Sequence, residues 1–208
     1  DIDNQTKTNN APYRYKLIPL DFPGVWLSSY GMDINDQGEI VGYVTLPNDY
    51  SWYPRKSFVW KNGTFTMIDL GADAVAAQRI NNDGQVAGVF MNGEYRTFLW
   101  KNGQLDNIAS SGGLTAGIND FGWVIGANWN PFIWKFGNLQ QLGSLKSANG
   151  PSNVTSINNY GDIVGYSNVD PNGVLYHATL YQDTLIQDLH HSFFSQSYAL
   201  SINNKSQI

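Results

Sequence analysis

One phrase recurs along the whole chain, Ile-Asn-x-x-Gly followed by an apolar run that ends in Gly. Complete copies begin at Ile34, Ile80, Ile118 and Ile157, and a fifth copy from Ile202 carries Ser206 at the Gly position. The starting isoleucines are 46, 38, 39 and 45 residues apart. A period of this length fits a unit of four short strands better than a shorter solenoid coil.

Each unit divides into four strand-like pieces separated by turn residues. In the second unit these pieces are 76–80, 85–90, 97–100 and 104–108. The Asn-x-x-Gly phrase joins the first piece to the second, and Lys-Asn-Gly joins the third to the fourth. Both phrases are typical of tight hairpin turns, so each unit is predicted to be antiparallel.

The second piece of each complete unit reads IVGY, VAGV, VIGA or IVGY, which favours strands covered on both faces. The Gly within each run, at positions 42, 88, 126 and 165, predicts close approach by a neighbouring sheet. Four-stranded sheets packed face to face in this way describe an all-β fold, the β-propeller of four-stranded antiparallel blades.

The two ends of the chain carry complementary fragments of a unit. Residues 15–21, YKLIPLD, resemble the outermost strand of other units, and residues 198–208 begin a unit without finishing it. We therefore expect the N-terminal strand to close the last blade, which is incomplete in this sequence, and a five-bladed ring to result. We expect a longer natural chain to supply the remaining strands of that blade, and the alternative is that another molecule completes it, giving an oligomer.

This reading divides the chain into a flexible lead-in, residues 1–12, and a single propeller domain, residues 13–208. Within the domain, the predicted repeats cover about 30–70, 76–109, 115–143, 154–189, and 198–208 together with 15–21.

Composition excludes several classes of function. The formal charge of −5 gives no electrostatic basis for binding nucleic acid. The chain has no Cys, so it has neither disulfides nor thiolate metal ligands, and no apolar run reaches the length of a membrane span. We expect no metal, no cofactor and no catalytic motif, since Ser elbows, zinc motifs and phosphate loops are all missing from the sequence.

These phrases resemble the HAF repeat family, a set of bacterial proteins usually predicted to be extracellular. The family pattern runs Ile-Asn-x-x-Gly-x-Ile-Val-Gly, then His-Ala-Phe-Leu-Trp-x-x-Gly, then Asp-Leu-Gly; the closest matches here are 34–42, 177–181, 60–63 and 69–71. The resemblance implies a propeller-like scaffold in an extracellular or periplasmic location. It supplies no catalytic residues, and the family His occurs only at His177, which argues against a catalytic His.

Antiparallel connectivity places both tight turns of every unit on one rim and the connections of variable length on the other. Because variable loops on a rigid scaffold commonly carry binding residues, we expect the site on that second rim. Aromatic residues concentrate there, and they suit stacking on sugar rings or contact with a protein, with burial in the loop layer as the alternative: Trp26, Tyr50, Trp52, Tyr53, Trp129, Phe193 and Phe194, with Tyr198 beside them.

Other recurring residues have structural interpretations. The Asn of each phrase, at positions 35, 81, 119, 158 and 203, is expected to bond within its own turn. The Trp residues at 60, 100 and 134 recur in phase, with Tyr181 at the same position of the fourth unit, which favours packing between blades. Trp123 stands where sister units carry Glu39, Gln85 and Asp162, so we expect an exposed position and a possible interface with another subunit.

The leading hypothesis is a secreted, non-enzymatic recognition or scaffold module that binds a glycan or a protein partner through the loop rim. One rival is a polysaccharide hydrolase, since propellers carry such chemistry and His190, His191 and five aspartates lie in or near the loops, Asp21, Asp49, Asp73, Asp170 and Asp188. Nothing in the spacing singles out a carboxylate pair. The other rival is a purely structural repeat protein.

Overall fold

The computed structural model describes residues 17–20, 22–45, 55–71, 74–109, 114–128, 130–145, 151–170 and 173–208. Sixteen β-strands make up the regular structure of these residues: β1 (Ser28–Ile34), β2 (Ile40–Thr45), β3 (Arg55–Lys61), β4 (Thr64–Ile68), β5 (Ala74–Ile80), β6 (Val86–Asn92), β7 (Glu94–Lys101), β8 (Gln104–Ala109), β9 (Leu114–Ile118), β10 (Val124–Asn128), β11 (Asn130–Lys135), β12 (Asn138–Gln141), β13 (Ser152–Ile157), β14 (Ile163–Asn168), β15 (Tyr176–Gln182) and β16 (Leu185–Asp188).

The strands form four antiparallel sheets, each made of four strands that are consecutive in the chain. We number these sheets first to fourth in chain order, so β1–β4 form the first sheet and β13–β16 the fourth. The predicted four-stranded antiparallel units are confirmed. The strands of the second sheet begin and end within three residues of the predicted pieces.

The two tight turns of each sheet follow the predicted chemistry. In the second sheet, the Gly84 N–H donates to the Asn81 carbonyl at 3.1 Å, and Gly84 has a φ of 72°. The turn between β7 and β8 places both Asn102 and Gly103 at positive φ, 49° and 85°. Positive φ at two central residues matches the twist of a hairpin, which explains Asn-Gly here. We call the end of the sheets with these turns the turn rim and the opposite end the loop rim.

The hydrophobic core lies between successive sheets. Val41 and Ile68 of the first sheet pack with Ile80, Phe98 and Trp100 of the second. Equivalent clusters join the second sheet to the third, through Leu99, Ile108, Val124 and Phe132, and the third to the fourth, through Ile125, Leu142, Val154 and Tyr181. Trp100 and Tyr181 thus pack between sheets as predicted, and Trp134 lies against the second of these clusters.

The glycines in the second strand of each sheet have a different role from the predicted one. A Cβ on Gly88 would collide with the Ala76 carbonyl oxygen and lie 2.9 Å from the Phe98 ring, and both residues belong to the same sheet. The strand register shifts between Ala77 and Arg79, opposite this glycine. The expectation of close approach by a neighbouring sheet was therefore wrong, because a bulge in the adjoining strand of the same sheet closes in on the glycine.

The fifth copy of the phrase continues the stack without an assigned strand. Ala199 and Ile202 are buried against Val164 and Ala178 of the fourth sheet. Ser206 keeps the positive φ of the usual Gly, 54°, and its hydroxyl lies 3.3 Å from the Asp162 carboxylate. The Ser206 side chain therefore meets Asp162, the counterpart of Glu39, Gln85 and Trp123 in the other sheets.

The described part of the N-terminal segment lies on the first sheet. Residues 17–20 belong to none of the four sheets. The Phe22 ring contacts those of Phe58 and Phe65, with centroids 4.7 and 3.9 Å away. Residues 1–12 lie outside the described residues.

Candidate functional site

Four of the predicted loop-rim aromatics, Tyr50, Trp52, Tyr53 and Trp129, lie outside the described residues, as do Asp21, Asp49 and Asp73. Trp26 is half-buried just before β1. Its indole N–H donates to the Pro23 carbonyl at 2.7 Å, and its ring meets Phe22 edge-on at 5.8 Å. Trp26 is thus held by contacts within its own segment.

Phe193 and Phe194 are the most exposed of the predicted aromatics that the structure describes. They follow β16 at the loop rim, with 84% and 64% of their surface exposed. The two rings are edge-on at 5.7 Å. Solvent exposure of two adjacent Phe rings costs hydrophobic free energy, so the pair is the candidate contact surface on this part of the loop rim.

Three tyrosines lie beside the same segment. The rings of Tyr166, Tyr176 and Tyr198 lie 5.0–5.9 Å from one another. The Tyr198 hydroxyl donates to the Gln196 amide oxygen at 3.0 Å, and the Tyr176 hydroxyl to the Gly173 carbonyl at 3.1 Å. Sequence reasoning found only Tyr198, because the other two lie inside strands β14 and β15 and carried no loop signal.

Two histidines, one aspartate and one serine form a polar cluster next to these tyrosines. The imidazoles of His177 and His190 stack at 3.8 Å between centroids. His177 Nδ1 lies 2.8 Å from the Asp188 carboxylate, and His190 Nδ1 lies 2.9 Å from the Ser197 hydroxyl. His177 is therefore paired with Asp188, which lies at the end of the adjoining strand.

The Asp188 carboxyl is held in its charged form. Partial burial acts to raise its pKa, but hydrogen bonds from the His177 imidazole and the His190 backbone N–H bring the pKa below its usual value. A general acid in glycoside hydrolysis needs a raised pKa instead. Asp188 is therefore suited to accepting hydrogen bonds and orienting His177.

A ladder of Asn side chains links the turn rims of successive sheets. The Asn81 Oδ1 accepts the N–H groups of Asp83 and Gln85 in its own turn, as predicted. Its Nδ2 donates to the Asn119 carbonyl in the next sheet at 2.9 Å. The same bond joins Asn35 to Asn81, Asn119 to Asn158 and Asn158 to Asn203. Sequence reasoning missed this second bond, which ties each turn to the next.

A second row of bonds runs one residue further along each turn. The Asp36 N–H donates to the Asn82 side chain at 2.9 Å, and the Asn82 N–H donates to Asp120 at 3.0 Å. The series continues from Asp120 to Asn159 and from Asn159 to Asn204. The sequence feature that could have predicted this second row is the recurrence of Asn or Asp at this position of each turn.

Trp123 lies at the turn rim between the third and fourth sheets and is half-buried, less exposed than its sequence position predicted. A Cβ on Gly161 would lie 2.7 Å from its ring, so the indole rests on the turn of the next sheet. Phe121 and Phe136 flank it at 5.8 and 5.4 Å, and the Lys135 ammonium lies 5.2 Å from its ring centroid.

The other sequence features give few chemical candidates. Within the described ranges, no three His, Cys, Asp or Glu side chains group so as to hold a metal ion. The same ranges include no helix that is long and apolar enough to cross a membrane. The sequence matches no protein-family model and none of the curated proteins searched.

Proposed function

We propose that this chain is a non-enzymatic recognition module that works outside the cytoplasm and binds a glycan through the loop rim of its fourth sheet. The observation that carries the proposal is the exposed pair Phe193 and Phe194 beside the tyrosine and histidine clusters. The extracytoplasmic location follows from the resemblance to HAF repeat proteins.

A glycan suits this surface because a sugar ring has an apolar C–H face and a polar edge. Aromatic rings stack on such faces, and His, Asp and Tyr side chains supply donors and acceptors for hydroxyls. A protein partner is the second candidate, since exposed aromatics also anchor protein interfaces. Asp188 gives no support for hydrolysis as a general acid, because its pKa is lowered and a general acid needs a raised one.

A glycan array comparing the wild type with a Phe193→Ala/Phe194→Ala variant tests the proposal. We expect the double variant to lose about tenfold or more in affinity, since 1.4 kcal/mol is tenfold and each aromatic contact contributes about 0.5–1.5 kcal/mol. Phe136→Ala is the control, an equally exposed Phe on the opposite rim. A wild type that binds no glycan would refute the glycan assignment.

We also propose that the four sheets are part of a five-bladed propeller closed by the N-terminal strand. The face that each sheet turns to its predecessor is open in the first sheet: Ile34 is 60% exposed, whereas its equivalents Ile80, Ile157 and Ile202 are 5%, 9% and 6% exposed and Ile118 is half-buried. Phe22 packs on Phe58 of that same open face. In the other sheets, this face is covered by the preceding sheet.

The two ends of the ladder are complementary as well. Asn203 and Asn204 offer donors at one end, and Asn35 and Asp36 offer acceptors at the other, in the pairing that recurs inside the chain. Among the described residues, no hydrogen bond joins these two ends. A closed ring would supply one.

A cysteine pair tests closure, because the chain has no native Cys. Asp36→Cys with Asn204→Cys is expected to form an intramolecular disulfide, which requires Cα atoms within about 7 Å. Asp36→Cys with Asn82→Cys is the positive control, since those residues are already bonded. Oxidation of the control alone would contradict closure, and disulfide-linked dimers from the test pair would show that a second molecule completes the ring.

A further inference from the structure

A groove opens on the turn rim between the first and second sheets, away from the loop-rim site. Its volume is about 640 Å³, within the range of roughly 300–1,000 Å³ that is typical of small-ligand sites. The residues that matter for its chemistry are Glu39, Lys61, Asn62, Asn82, Trp100 and Asn102.

The groove has an apolar floor and polar walls. Val59 and the buried Trp100 belong to the core between the two sheets and also line the groove. Asn62 and Asn102 come from the hairpin turns of the two sheets, and both have positive φ. An indole below two side-chain amides is a surface that can take a ring with one apolar and one polar face.

The charges in the groove compensate one another in part. The Lys61 ammonium lies 2.7 Å from the Glu39 carboxylate. The hydrogen bond from Lys61 is the main reason that the pKa of Glu39 lies below its ordinary value, while burial opposes it. Asp83 adds one further negative charge to the lining. Among the described residues that line the groove, Lys61 is the one cation and is already paired, so the groove disfavours phosphate and carboxylate ligands.

We propose that this groove binds the rings of a neutral carbohydrate. A sugar ring lies over the Trp100 floor, and its hydroxyls bond to the amides of Asn62 and Asn102 and to the Glu39–Lys61 pair. This site is distinct from the loop-rim surface and stands whether or not that surface binds glycans.

The equivalent groove elsewhere in the chain is filled by an aromatic side chain. Between the third and fourth sheets, Trp123 occupies the position of Glu39 and Phe136 that of Asn62. The Trp123 ring lies on Gly161, the counterpart of Gly84, and fills the space above that turn. The fold therefore tolerates a Trp at this position, and a Trp introduced at position 39 is expected to fill the open groove.

Glu39→Trp is the test, and Gln85→Trp is its matched control, since residue 85 holds the equivalent position one sheet further on and does not line the groove. The probes are neutral gluco-, manno- and xylo-tetrasaccharides, with binding followed by titration calorimetry. We expect the wild type and Gln85→Trp to bind one of them with the same Kd, and Glu39→Trp to bind at least tenfold more weakly.

The proposal is overturned if the wild type binds none of the tetrasaccharides, and also if Glu39→Trp binds as tightly as the wild type. Binding that is lost in Phe193→Ala/Phe194→Ala but kept in Glu39→Trp assigns the carbohydrate to the loop rim and likewise refutes the groove. If the melting curve shows that Glu39→Trp does not fold, Asn62→Phe, which copies Phe136, decides by the same criteria.

Discussion

The groove between the first and second sheets and the one between the third and fourth are built from the same repeat but have different side chains along their walls. Glu39 leaves the first open, whereas Trp123, with Phe136 against its ring, fills the space above Gly161 in the second. A Lys occupies the same place in both, but Lys61 pairs with a carboxylate and Lys135 lies over an indole. One repeat thus offers two surfaces, a polar groove and an aromatic patch.

The scaffold beneath the two grooves is the same. The Asn ladder crosses the first groove from Asn35 to Asn81 at 3.0 Å and the second from Asn119 to Asn158 at 3.2 Å. Because backbone and amide bonds hold the turns together, the side chains above them are free to differ. This separation explains how a repeat protein changes its surface without changing its fold.

The largest difference in stability between the two grooves is expected when the equivalent residues Trp123 and Glu39 are each replaced by Ala. Trp123→Ala removes a ring packed on Gly161 and should lower the free energy of unfolding by about 3 kcal/mol, the lower end for Trp→Ala. Glu39→Ala removes an ion pair at the surface and should cost less than about 1 kcal/mol. Urea denaturation measures both, and equal costs would mean that Trp123 does not pack as a plug.

Replacement of a ladder Asn by Ala should lower the free energy of unfolding by the same amount in the two grooves. Asn35→Ala and Asn119→Ala each remove a buried amide that bonds to its own turn and to the next one. Loss of these partners should lower the free energy of unfolding by about 2 kcal/mol in either case. Thermal denaturation with calorimetry provides the check; costs that differ by more than about 1 kcal/mol would show that the scaffold is not uniform.

A pair of glycine substitutions tests whether the second groove is full. Gly38 and Gly161 both have positive φ, 73° and 86°, so alanine at either strains the backbone by about 1–2 kcal/mol. A Cβ at Gly38 meets nothing within 4 Å, whereas one at Gly161 meets Trp123. We expect Gly161→Ala to be less stable than Gly38→Ala by about 1 kcal/mol. In a Trp123→Ala background this difference should disappear.

The smallest effect concerns pH. The folded-state pKa of Glu39 lies below its ordinary value of 4.5, so the Glu39 pair stabilises the fold above about pH 4.5 and loses this contribution as pH falls through the lower folded pKa. The wild type should therefore lose more stability on acidification than Glu39→Gln, by less than about 1 kcal/mol. Parallel stability curves for the two proteins would show that the pair contributes nothing.

Local chemistry made most of the fold predictable. Asn-Gly and Asn-x-x-Gly specify hairpins through the φ values of a few adjacent residues, and the apolar runs between them specify buried strands. Phe193 and Phe194 were predicted at the loop rim from connectivity alone. The carbonyl that crowds Gly88 was not predictable, because a bulge arises from the pairing of two strands and leaves no mark on the glycine itself.

By itself, the sequence determined four antiparallel sheets, their turns and the order in which they follow one another, since each depends on residues close together in the chain. The tertiary structure alone decided which faces and turns meet: the ladder from Asn35 to Asn203, the stacking of His177 on His190, and the groove that Glu39 leaves open and Trp123 fills. These contacts join residues up to 46 positions apart. Their chemistry exists only once the sheets have packed.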